Sequence, residues 1–93
     1  MLAVLALVSA CETSPPVQEM SDARQAIDAA REAGAADRAA AELQAAEQFL
    51  QRAENRLNSQ DFSQARSDAL EAKMRALKAL QLSESGNSGF PPD

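Results

Sequence analysis

The sequence predicts an all-α protein: a small antiparallel three-helix bundle, or a helical hairpin with an additional N-terminal helix, preceded by a signal peptide. Three observations carry that prediction. Alanine is the commonest residue, with Gln, Glu and Arg frequent, which is a helix-forming composition. β-branched and aromatic residues are scarce (Phe, Trp and Tyr together make 3%), which argues against a sheet. Apolar residues recur at alternating three- and four-residue spacing in three separate runs, the period of an amphipathic helix.

The first helix is expected from about Pro16 to Ala33. Ser14 is placed to cap it, and Pro15 or Pro16 suits its first turn. Met20, Ala23, Ile27, Ala30 and Gly34 share one face, with Arg24 and Asp28 placed to pair beside it. Gly34 is the natural stop, because glycine accepts the left-handed conformation at a helix C-terminus. The second helix, capped by Asp37, should run from about Ala39 to Asn58. Leu43, Ala46, Leu50, Ala53 and Leu57 form its stripe, and Phe49 widens it.

Asn58, Ser59 and Gln60 break the pattern. Asp61 then starts the third helix, with Gln64 three residues on in an approximate capping box. Phe62, Ala65, Ala69, Ala72, Ala76 and Ala79 follow one face, and Leu70, Met74, Leu77 and Leu80 are expected to broaden it. Glu71 stands four residues before Arg75, the favourable order for an exposed pair. The helix should fade between Ser83 and Ser85. Short connections make consecutive helices fold back antiparallel. Leu and Ala alternate across the seams, so large side chains fill space beside small ones, at the expense of a core with little apolar area.

Ninety-three residues make one domain at most. The divisions expected are a signal peptide over 1–10, a tether over 11–15, a helical domain over 16–84 and a disordered tail over 85–93. A net charge of −5 argues against nucleic acid, which needs a concentrated basic face. It offers no attraction to anionic headgroups either. The chain has no His, Trp or Tyr, and the missing histidine removes most nucleophile–base pairs and metal sites.

Leu2 to Ala10 are almost wholly apolar, too few to span a bilayer, which needs about 20 residues, but suited to the core of a signal peptide. The order Leu7-Val8-Ser9-Ala10-Cys11 resembles a lipobox: aliphatic, small, small, cysteine. That resemblance implies a diacylglyceryl group on the Cys11 thiol, cleavage before Cys11, and acylation of the new amine with fatty acids such as palmitate. Val8, Ser9 and Ala10 are the lipobox residues, and Cys11, the single cysteine, is the lipidated one. Three acyl chains hold a domain at a membrane without help from its surface, where one alone binds marginally. Signal peptides start with Lys or Arg, and here only the Met1 amine is positive, so the start of translation is expected upstream. Glu12 after the cysteine implies, by resemblance to enterobacterial sorting, the outer membrane.

No arrangement of residues points to catalytic chemistry. Glu42, Glu47, Glu54, Asp68 and Glu71 read as solvated carboxylates, since none interrupts an apolar stripe. No phosphate loop, zinc spacing or calcium loop is present. Arg52, Arg56, Arg66 and Arg75 are interspersed with acids, and Phe49 and Phe62 read as core. No catalytic residue, cofactor or metal is expected.

The stretch from Val17 through Ala35, with its run Ala23-Arg24-Gln25-Ala26-Ile27-Asp28-Ala29-Ala30-Arg31-Glu32-Ala33-Gly34-Ala35, resembles a domain of unknown function found in Gram-negative envelope lipoproteins. So does the continuation Ala41-Glu42-Leu43, Ala46-Glu47, Leu50, Ala53-Glu54, Leu57, Asp61-Phe62 and Ala65. The chain departs from the family at Ala40, where relatives start a helix with proline. In some relatives the domain precedes an OmpA-like peptidoglycan-binding domain. The stretch up to Asp93 contains none, so peptidoglycan binding does not carry over. Only the lipidated cysteine maps residue by residue, onto Cys11.

The expectation is a non-enzymatic lipid-anchored envelope protein at the periplasmic face of the outer membrane, acting as a helical adaptor or scaffold for a protein partner. The alternative is a self-associating structural lipoprotein, a homo-oligomer. A covalent link to peptidoglycan through a C-terminal lysine is not expected, because the sequence ends in Asp93.

Overall fold

A computed structural model describes residues 14–88. Val8, Ser9, Ala10 and Cys11, together with residues 89–93 of the expected tail, lie outside the described residues. Four helices follow in order: α1 (Val17–Glu32), α2 (Ala35–Arg38), α3 (Ala40–Asn58) and α4 (Phe62–Ser88). No strand occurs among the described residues. The expected all-α bundle is the observed one, with a single extra turn of helix, α2, between its first two members.

The turns explain the boundaries. Val17 N–H donates to the Pro15 carbonyl at 2.9 Å, and Pro16 has φ −82° and ψ 59°. That is an inverse γ-turn, and it bends the chain into α1 with Pro16 at the N-cap position expected for Ser14. At the other end Gly34 has φ 91° and donates to the Arg31 carbonyl at 3.0 Å. Its own carbonyl accepts from Asp37 and Arg38 at 3.1 and 3.0 Å, so it ends α1 and begins α2. Asp37 is therefore inside α2 and not the cap of α3. That cap is Ala39, which has no side chain able to take the role, and α3 starts at Ala40.

Between α3 and α4 the chain makes a Schellman turn. Asp61 N–H reaches back to the Arg56 carbonyl at 2.8 Å and Gln60 N–H to the Leu57 carbonyl at 2.9 Å. The left-handed residue is Gln60, with φ 62°, where glycine is usual. Asp61 caps α4 with half of the expected box. Its carboxylate accepts from Gln64 N–H at 3.4 Å, but the Gln64 side chain turns forward to Asp68. α4 then runs 27 residues, about 40 Å, through Ser88. Residues 85–88, expected in the tail, form its last turn. The buried Ser83, whose hydroxyl donates to the Ala79 carbonyl at 2.8 Å, keeps this end on the bundle.

Ion pairs between helices report the topology. Arg24–Glu54 (3.2 Å) and Arg31–Glu47 (2.6 Å) show that seven residues up α1 are seven down α3, so these helices are antiparallel. Glu19–Arg66 and Asp22–Lys73 set α1 parallel to α4. Glu42–Arg75 and Asp68–Arg56 set α3 antiparallel to α4. Arg24 and Asp28 do not pair with each other as expected. Arg24 reaches across to α3, and Asp28 takes Arg31 at 3.4 Å. The expected Glu71–Arg75 pair forms at 3.0 Å.

α4 is the central helix: α1 and α3 both pack on it more extensively than on each other. The core is mostly alanine. Among the described residues, the buried apolar side chains larger than alanine are Pro16, Met20, Ile27 and Leu43. Near α2 the core gathers Ala26, Ile27, Ala30, Ala35, Ala39, Leu43, Ala46, Ala76 and Ala79, with Leu50 and Leu80 at its edge. Toward the start of α1, Met20 meets Ala53 and Ala69, with Leu57 at the edge. Alanine has no rotamer freedom to lose and lets the helix axes approach, but each one buries little area beside the ~1.5–3 kcal/mol of a full Leu, Ile or Met.

Candidate protein-docking surface

The alanine seam decides which side of α4 is core. At 100° per residue, Ala65, Ala69, Ala72, Ala76, Ala79 and Ser83 lie on one face, all fully buried. Leu70, Met74 and Leu77 lie on the opposite one, within about 60° of one another. They are 46%, 63% and 45% exposed. The sequence-based expectation that they broaden the core stripe is thus corrected for these three, and only Leu80 packs against the core. The physical reason is that α4 is gripped through its small residues by two helices at once, and among the described residues no element covers its far side.

The exposed stripe has charged flanks. On the α1 side Lys73 pairs with Asp22 at 3.8 Å, and Arg66 pairs with Glu19 at 3.3 Å and donates to the Ser14 carbonyl at 3.0 Å. On the α3 side Glu71 holds Arg75, whose guanidinium also stands 3.9 Å from Glu42 and 5.5 Å from the Phe49 ring. Arg52 lies over the same ring at 4.8 Å. Phe49 is therefore a half-buried cation–π platform rather than the core residue expected, and Phe62 is likewise half-buried. Lys78, next along this edge, makes no ion pair among the described residues.

A concavity lies between α1 and α3, lined by Ile27 and Leu50. The Arg24–Glu54 and Arg31–Glu47 pairs bridge its rim and Asp28 pairs with Arg31, so its charged groups are already paired with one another. Among the scattered carboxylates, Asp68 departs from expectation. It is 4% exposed, packed between α3 and α4. One oxygen accepts from Gln64 at 3.5 Å; the other faces Arg56 Nε at 3.7 Å with no hydrogen bond. Among the described residues no cluster of acids is placed to hold a metal ion, and no helix is long and apolar enough to cross a membrane.

The fold and this surface define a small three-helix domain with a leucine–methionine stripe left outside its alanine core. Residues 18–88 match the family described as Domain of unknown function (DUF4398), and the chain belongs to that family. No curated protein and no solved structure matches it.

Proposed function

We propose that this chain is a non-enzymatic, lipid-anchored envelope protein whose helical bundle docks a protein partner. The single observation that carries the docking role is the Leu70–Met74–Leu77 stripe, which the bundle does not use for its own core. The anchor rests on the order Leu7-Val8-Ser9-Ala10-Cys11 and its resemblance to a lipobox. Acylation of Cys11, with palmitate or a similar chain, would hold the domain on the periplasmic face of the outer membrane. Only a short tether, Cys11 to Pro15, would separate lipid from α1, so the docking face would work close to the membrane. The resemblance to Gram-negative envelope lipoproteins, some with an OmpA-like domain following, supports the same compartment.

Labelling with radioactive palmitate tests the anchor. The expected result is incorporation into the wild-type chain, none into Cys11→Ala, and release of that variant from the membrane fraction. Equal labelling of the two would overturn it. A self-associating structural role is the second reading, favoured by the charge pattern along the stripe.

A further inference from the structure

We infer that the outer face of α4 is a self-recognition surface, on which a second copy of this chain packs its own α4 in antiparallel register. This deepens the docking reading by naming the partner; it does not depend on the lipid anchor.

The outer face of α4 is self-complementary. Leu70, Met74, Leu77 and Gln81 are spaced four, three and four residues apart, the seam of a two-helix contact. Related by a two-fold axis, two such seams interleave when Met74 of each copy opposes Leu77 of the other and Leu70 opposes Gln81. In that register Glu71 of one copy stands about 3 Å along the axis from Lys78 of the second, at 1.5 Å per residue. The axis makes that contact twice. Lys78, otherwise without an ion pair among the described residues, gains one. On the opposite flank the stem of Lys73 meets Leu80, and no like charges come together.

The parallel register fails this test. Flanking positions five residues apart then meet, which sets Lys73 beside Lys78 on both sides. Three apolar side chains also fall short of the ~1,600 Å² of a standard interface, so pairing is weak in free solution and strengthens where copies are concentrated. Because α1 runs parallel to α4, the starts of the two α1 helices sit at opposite ends of the pair. On a single membrane such a pair lies flat.

Bismaleimide crosslinking in isolated envelopes tests the register. Full-length Ser67→Cys and Gln81→Cys chains, carrying different tags, are expressed together. The antiparallel pair predicts a mixed-tag dimer and little Ser67→Cys self-dimer, since the two Ser67 positions lie far apart along the axis. Self-dimers of Ser67→Cys with no mixed species, or no dimer at all, overturn the proposal. The latter outcome leaves the face to a different protein or to the lipid surface. Adding Lys78→Glu should lower the mixed dimer about threefold or more, and adding Glu71→Lys to that variant should restore it. Failure of the exchange to restore it contradicts the pairing. The wild-type chain is the control for Cys11: a wild-type dimer through a free thiol counts against the lipid anchor and leaves the register result standing.

Discussion

Met74 and Ala76, two residues apart on α4, face opposite worlds: Met74 is 63% exposed and Ala76 is fully buried. The larger and more apolar residue is the one outside. That inversion follows from how α4 is held, because α1 and α3 both close on it and only a methyl group fits where Ala76 sits.

Substitutions at the two positions should therefore behave oppositely. Ala76→Leu forces extra methylenes into a filled seam and should destabilise by about 1–3 kcal/mol. Met74→Gln should stay within about 0.5 kcal/mol of wild type. Urea unfolding followed by circular dichroism measures both, and equal losses would mean that Met74 is also packed.

The turns give a second pair with opposite signs. Gln60 occupies a left-handed position where glycine is easier, so Gln60→Gly should stabilise by about 1 kcal/mol. Gly34→Ala should destabilise by about 1–2 kcal/mol. Space is not the reason, since a Cβ at Gly34 would meet Arg38 at an ordinary 3.6 Å. The strain is in the backbone, and thermal unfolding of the two variants reads it.

Asp68 supplies a third test. A buried carboxylate with one unbonded oxygen adds little net stability, and Arg56 is exposed enough to rehydrate when its partner goes. Asp68→Ala should therefore change unfolding free energy by no more than about 1 kcal/mol, against the 3–5 kcal/mol lost when a fully buried pair is broken. A loss in the larger range would make the Arg56–Asp68 contact a main support of the α3–α4 seam.

Much of this was legible in the residues. Three- and four-residue spacing placed the three long helices, Gly34 marked the end of the first, and the alanines of α4 marked its buried face. What spacing does not reveal is whether a second apolar stripe on the same helix joins the core. Leu70, Met74 and Leu77 are more apolar than Ala69, Ala72 and Ala76, so composition adds them to the core. The outcome depends on how closely α1 and α3 approach, a property of all three helices together. The same non-locality hid the burial of Asp68 and the Arg75–Phe49 contact, both made between α3 and α4. The short helix α2 escaped because a four-residue turn has no period to read. Of the candidate site, the stripe residues themselves were visible as a group, but their exposure was not.

The measurement closest to the central claim is crosslinking of the native envelope with a variant carrying Leu70→Gln, Met74→Gln and Leu77→Gln. The account predicts that wild type and variant alike are folded and recovered in the membrane fraction, and that crosslinked complexes form with wild type but not with the variant. Complexes that persist undiminished in a folded triple variant would contradict it, because the outer face of α4 would then not be where this protein docks.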